Sequence, residues 1–270
     1  MVDFNFKENY NFEDLLKIME VLRSPGGCPW DREQTHESIR KDFIEETYEV
    51  IEAINKKDKT LLCEELGDVL LQVAFHVQIE KEEGSFGIGE VTDGVCKKLI
   101  ERHPHVFGEV VVNSTGEVLD NWDTIKRKSK GQKTQGSAME KIPKELPALM
   151  RAQKIQSKAK KAGFDWDDVS GAYEALGKEI AELKEAQASG DENRITDELG
   201  DVLFSVVNIS RFLGVDSEEA LTKSNNKFIE RYLIVERLAR EREIDMPSSS
   251  IEELDKLWDE AKAILKKSNK

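Results

Sequence analysis

The chain has 270 residues, with 40 Lys+Arg against 54 Asp+Glu and a formal net charge of −14, which excludes a fold built to bind nucleic acid or anionic membranes. Charged residues make up 35%, aromatics 7% and prolines only 6 positions, a mix that favours helices over a β-sandwich. No apolar run reaches the ~18 residues of a membrane span. Met1–Asn9 lacks a signal-peptide core, and the odd set Cys28, Cys63 and Cys96 lacks metal spacing, so a soluble, reduced, cytoplasmic protein is expected.

Apolar spacing predicts a helix over Phe12–Arg23, broken by Ser24-Pro25-Gly26-Gly27. Helices follow over Ile39–Ile54, Leu61–Glu82 and about Val91–Arg102, the last stopping before Pro104. Val110-Val111-Val112 is the one candidate for a short extended piece. Ser114-Thr115-Gly116-Glu117 has the capping-box pattern and opens a helix through Trp122 and Ile125. Lys128–Leu146 is rich in Lys, Gly, Gln and Pro without periodicity, as in a linker. Beyond it come helices over Tyr173–Ala188 and Ile195–Phe212, then a long one capped by Asp216-Ser217-Glu218-Glu219 and running to about Glu241. Ser250-Ile251-Glu252-Glu253 opens the last.

The second half repeats the first. Glu65-Leu66-Gly67-Asp68-Val69-Leu70 recurs letter for letter 133 residues on as Glu198-Leu199-Gly200-Asp201-Val202-Leu203. The same offset carries Glu46 and Glu49 onto Glu179 and Glu182. Each copy is Glu-x-x-Glu, fifteen residues, then Glu-x-x-Asp. Residues at i and i+3 share a helix face, and fifteen residues let the chain turn and return antiparallel. Four carboxylates then converge beside apolar neighbours, where they repel unless a cation is present. Oxygen-only ligands suit a hard divalent ion, Mg²⁺ or Mn²⁺.

Acids fill 54 of 270 positions, so a single such tetrad could be a solvated face; its duplication favours the metal reading. A di-iron carboxylate bundle needs Glu-x-x-His on two helices, and the one such string, Glu33-Gln34-Thr35-His36, lies outside the hairpins. Gly67 and Gly200 sit inside apolar helices at a cost of about 1 kcal/mol against Ala. Close approach of a helix or ligand, or a packing notch, would each account for them.

These tandem tetrads resemble the MazG nucleoside triphosphate pyrophosphohydrolases of the all-α NTP pyrophosphatase superfamily. So do Gly27-Cys28-Pro29-Trp30-Asp31 with Gln34-Thr35, Glu45-Glu46-Thr47-Tyr48-Glu49, Arg102-His103-Pro104-His105-Val106-Phe107 and Leu146-Pro147-Ala148-Leu149. The resemblance spans nearly the whole chain. It implies Mg²⁺-dependent hydrolysis of NTPs and dNTPs to monophosphate and pyrophosphate, with broad base tolerance, by helical dimers that clean nucleotide pools or serve stress responses.

Carried over by residue, the resemblance makes Glu179, Glu182, Glu198 and Asp201 catalytic metal ligands, and Lys227, Arg231 and Trp258 nucleotide contacts. Lys227 and Arg231, at i and i+4, could hold successive phosphates, and an indole stacks on a base without reading its edge. An ion-paired surface and a core anchor are the plainer accounts of these residues. Arg194 matches a phosphate-side position, whereas its repeat partner is Leu61. The first copy keeps all four acids, Glu46, Glu49, Glu65 and Asp68, with Lys98, Arg102 and Trp122. It has Glu45 where the second has Lys178. Ala175 stands where some relatives carry a base.

The expected organisation is all-α: a repeat over 1–128, a linker over 129–146 and a second repeat over 147–270. Each hairpin needs another helix pair to close a four-helix bundle, so a homodimer or larger oligomer is expected. Two other readings remain open: an enzyme of the same superfamily specific for one nucleotide, such as dUTP or a phosphoribosyl-ATP, and a non-catalytic helical adaptor whose acidic hairpins bind partners.

Overall fold

The computed structural model describes residues 4–129, 131 and 134–268, and the chain divides into two compact units, Met1–Lys126 and Arg127–Lys270. The first holds α1 (Phe12–Arg23), α2 (Pro29–Glu33), α3 (Arg40–Lys56), α4 (Lys59–Glu82), α5 (Ile88–Arg102) and α6 (Pro104–Phe107), and α7 (Thr115–Ser129) runs past its end. The second holds α8 (Gln135–Glu140), α9 (Ala148–Lys161), α10 (Val169–Ser189), α11 (Glu192–Phe212), α12 (Ser217–Glu241) and α13 (Ile251–Ser268), with a 3₁₀ turn at Met246–Ser248. No strand occurs among the described residues, and 110–112 is irregular chain between α6 and α7.

Both hairpins turn in the same way. α3 ends at Lys57, whose φ of 57° is left-handed, and Asp58 caps α4 by accepting from the Thr60 and Leu61 amides. α10 ends at Gly190, with φ 72°, and Asp191 caps α11 by accepting from the Asn193 and Arg194 amides. Lys57 and Gly190 are repeat partners, so one backbone geometry is built from a costly residue in one copy and a permissive one in the other.

In each unit a longer helix upstream of the hairpin packs on the hairpin's second helix: α1 on α4, and α9 on α11. Met19, Ile39, Phe75 and Ile79 form the first unit's buried cluster. Val235, Leu238, Ala239, Leu257 and Ala261 form the second's, between α12 and α13. The repeat therefore reaches further upstream than the carboxylates. Gly27-Cys28-Pro29-Trp30-Asp31 after α1 corresponds to Gly163-Phe164-Asp165-Trp166-Asp167 after α9. A Cβ on Gly27 would lie 2.2 Å from the Leu22 carbonyl oxygen, so only glycine fits there.

Each of these loops is clamped by a nearly buried arginine. Arg23 pairs with Glu82 at 2.8 Å and donates to the carbonyls of Asp31 and Gln34. Arg211 pairs with Asp165 and donates to the Asn208 side chain.

Within 129–146, Thr134 caps α8, Ala138 and Ile142 are buried, and α8 packs on α9. Residues 130, 132 and 133 of that stretch lie outside the described residues, as do 1–3 of the N-terminal segment and 269–270.

Candidate metal centre

Glu46 and Glu49 project from α3 toward Glu65 of α4, and one carboxylate oxygen from each falls within 4.8 Å of the others. Glu65 is 9% exposed; Glu46 and Glu49 are half-buried. Burial, then the charges of Asp68 and Glu49, push the Glu46 carboxyl above its ordinary value. Burial and Glu49 do the same to Glu65. Asp68 acts on both carboxyls through its charge alone.

The second unit repeats this with Glu179 and Glu182 of α10 and Glu198 of α11, again within 4.8 Å. Burial, followed by Glu182, Asp201 and Glu198, raises the Glu179 carboxyl, and Lys178 opposes the shift. Arg194 lies one turn before Glu198, its Nε 3.5 Å from that carboxylate and its Nη2 3.5 Å from Glu185. This cluster is wetter, with Glu182 and Asp201 exposed, and carries two cations at its edge.

Carboxylate oxygens held this close could hold a metal ion, and oxygen-only donors suit a hard divalent one. The geometry brings together Glu46, Glu49 and Glu65 in one unit and Glu179, Glu182 and Glu198 in the other as groups that could hold a metal ion; Asp68 and Asp201 lie outside those groups. Gly67 and Gly200 have nothing within 4 Å of an added Cβ, so neither is a packing notch within the described chain.

The aromatic and basic candidates pair among themselves. Arg231 of α12 lies over the Trp258 ring of α13 at 5.7 Å, and Phe228 tilts against the same ring at 5.0 Å. Trp258 packs partly on the α12–α13 cluster, so it is a core contact with one side open. In the first unit Arg102 lies 5.0 Å and Lys126 4.7 Å from the Trp122 ring. Arg102 is buried and its Nε has no hydrogen-bond partner; Arg231 is half-buried. Lys98 and Lys227 are exposed on α5 and α12. Among the described residues no ion pair joins Lys98, Arg102, Lys227 or Arg231 to the tetrads.

Sequence reasoning overlooked Glu185, which shares Arg194 with Glu198; its signal was a carboxylate just before the hairpin turn. It also overlooked the pairing of His36, whose Nδ1 lies 2.7 Å from His76 Nδ1 and whose Nε2 lies 2.9 Å from Glu80. Forty residues separate the two histidines, so no spacing announced the pair.

The profile of the MazG nucleotide pyrophosphohydrolase domain matches residues 34–107 and again 169–235, taking in both hairpins. A Thermotoga maritima protein named nucleoside triphosphate pyrophosphohydrolase/pyrophosphatase MazG is 49% identical over 251 residues, covering 93% of this chain and 95% of its own. An Escherichia coli K12 protein named nucleoside triphosphate pyrophosphohydrolase is 43% identical over 251 residues, 92% of this chain and 95% of its own. The Bacillus subtilis protein YabN is 44% identical over 94% of this chain, which spans 52% of that protein. No helix of the described residues is long and apolar enough to cross a membrane. With two matching hairpins and relatives aligned along nearly its whole length, the chain belongs to the MazG nucleotide pyrophosphohydrolase family.

Proposed function

We propose that this chain hydrolyses NTPs and dNTPs, with broad base tolerance, to monophosphate and pyrophosphate in the cytoplasm, using Mg²⁺, with Mn²⁺ as a substitute. The observation that carries the reading is the pair of carboxylate clusters at equivalent places in two units of a MazG-family chain. Glu179, Glu182, Glu198 and Asp201 would hold the metal at the main site, and a bound divalent ion there would polarise phosphate oxygens and acidify water. Arg194, Lys227 and Arg231 supply positive charge toward a triphosphate, with Lys98 and Arg102 in the same role in the first unit. Trp258 and Trp122 offer ring faces that stack on a base without reading it, which suits broad tolerance and a pool-cleaning or stress role.

The active form is a homodimer or larger. Ile44, Tyr48, Ile51, Leu66 and Leu70 flank the first tetrad yet stay 43–55% exposed, as do Leu199 and Leu203 beside the second at 48% and 51%. Apolar side chains in such number around an otherwise charged hairpin call for a second helix pair. The open faces of Gly67 and Gly200 agree with a neighbour approaching from outside the chain.

The test is release of pyrophosphate from a mixture of NTPs and dNTPs with Mg²⁺ or Mn²⁺. Cleavage of several bases supports the proposal, and cleavage of one alone favours the single-nucleotide enzyme. No release under any condition points to the adaptor.

A further inference from the structure

The four histidines of the chain, His36, His76, His103 and His105, all lie in the first unit. His36 stands in the loop between α2 and α3, and His76 and Glu80 stand one turn apart on α4. The His36 and His76 rings are stacked, with centroids 5.0 Å and planes 8° apart, and their Nδ1 atoms meet at 2.7 Å. His36 Nε2 lies 2.9 Å from a Glu80 oxygen, and Ser85 also hydrogen-bonds that carboxylate. Ile39 packs with Phe75 and Ile79, the chain neighbours of His76 and Glu80, so apolar contacts already hold this loop against α4.

The second unit shows what the fold needs at this place. At the 133-residue offset His76 and Glu80 become Ile209 and Leu213, and Ile209 is buried. The same turns pack there without a polar cluster, so packing alone does not account for it. The hydrogen bonds have a chemical reading. A neutral His36 ring that gives its Nε2 proton to Glu80 keeps a bare lone pair on Nδ1, facing His76. A carboxylate on one ring nitrogen, with the other left as an electron-pair donor, is the arrangement that fixes a metal-ligating histidine. Burial holds the His76 imidazole below its ordinary 6.5 and so favours the neutral form, which ligates.

We propose that His36 and His76 form a site for a borderline divalent cation of the zinc type, bound by the two Nδ1 atoms and water, with Glu80 orienting His36. Imidazole donors favour late first-row ions over Mg²⁺, the reverse of an all-oxygen carboxylate group. Zn–N bonds of ~2.0–2.1 Å in a tetrahedron place the nitrogens about 3.3 Å apart, so the rings need to open by roughly 0.6 Å. The proton between the rings leaves His76 Nδ1 and is carried on His76 Nε2, so both rings stay neutral. Such an ion would tie the segment before α3 to α4. Neither histidine belongs to the carboxylate groups described above, and the inference does not rest on the hydrolytic reading.

Imidazole ¹⁵N NMR of the full chain, titrated with Zn²⁺ in excess Mg²⁺, tests the site. The Nδ1 resonances of His36 and His76 are expected to shift together and saturate at the same zinc concentration, while Mg²⁺ alone leaves them in place. His36→Gln is expected to weaken the zinc response of His76 by about 10-fold or more, and Glu80→Gln to weaken that of both rings by about 10- to 100-fold. Circular dichroism checks that the variants keep their helicity; if one does not, the parent titration decides by itself. No shift of these two rings in the parent, a response confined to His103 and His105, an equal shift with Mg²⁺ alone, or a folded His36→Gln variant whose His76 responds unchanged would each overturn the site.

Discussion

Arg194 stands 3.5 Å from Glu198, one turn earlier on α11, whereas the same place beside Glu65 on α4 is held by Leu61. The two tetrads thus share acids and differ in the charge available to a phosphate. A charge-assisted phosphate contact is worth about 1.5–3 kcal/mol in a partly dry site, or roughly 10- to 100-fold. Glu198→Ala or Asp201→Ala is therefore expected to abolish most pyrophosphate release, and Glu65→Ala or Asp68→Ala to leave a substantial part. Equal losses on both sides, with helicity retained by circular dichroism, would remove the asymmetry.

The raised carboxyls predict how metal and pH act together. Glu46, Glu65 and Glu179 hold protons in the folded chain above their ordinary value of 4.5. Their contribution to stability is full below pH 4.5 and is lost as pH rises through the raised folded values. At neutral pH the metal-free clusters therefore carry repulsion, only partly offset by Arg194 and Lys178 in the second, which a bound Mg²⁺ would relieve. Melting curves should show Mg²⁺ raising Tm more at pH 7.5 than at pH 5. An equal rise at both values would contradict the linkage.

How much of this was legible in sequence follows from the physics of each element. The hairpins were, and so was the grouping of Glu46, Glu49 and Glu65 and of Glu179, Glu182 and Glu198, because apolar helices and a 133-residue repeat coincide there. α9 was not: Leu149, Ala152, Ile155 and Ala159 are sparse among lysines and glutamines, and the Pro-rich stretch before it has linker composition. The Gly-x-x-Trp-Asp repeat was present in the letters but at a different offset from the acids. The Arg23–Glu82 clamp joins residues 59 apart, and no local pattern encodes such a contact.

The histidine pair gives a second pH response. Burial, then the positive charge of His36, holds the His76 imidazole below its ordinary 6.5. Glu80, which faces His36, and the Phe43 ring 5.7 Å from His76 complete the surroundings. The unfolded chain takes up this proton more readily than the folded one, so stability is full above pH 6.5 and falls as pH drops through the folded value. Urea unfolding of the parent should weaken between pH 7.5 and 5.5, and His76→Gln should show a smaller change. Identical pH profiles would exclude His76 as the source.

The repeat-partner residues at the two hairpin turns permit a reciprocal exchange. A non-glycine residue in the left-handed region costs about 1–2 kcal/mol, partly offset by the extra freedom of glycine in the unfolded chain. Lys57→Gly should raise stability by about 0.5 kcal/mol, and Gly190→Lys should lower it by a similar or larger amount. Chemical unfolding of the two variants decides the matter; changes of the same sign in both would show that the turn is not the determinant.

Gly200 brings stability and activity into opposition. It lies within α11, between the ligand candidates Glu198 and Asp201, and a Cβ there meets nothing within 4 Å. Within one chain, then, Gly200→Ala adds no clash and removes the backbone entropy penalty of a helical glycine, a gain of about 0.5–1 kcal/mol. If the residue persists for a partner helix or a phosphate that comes close to the backbone, the same methyl group intrudes on that approach. Gly200→Ala is expected to weaken dimerisation in sedimentation or lower pyrophosphate release, while the dissociated chain melts no earlier than the parent. A variant that is more stable, equally dimeric and fully active would show that this glycine serves neither neighbour.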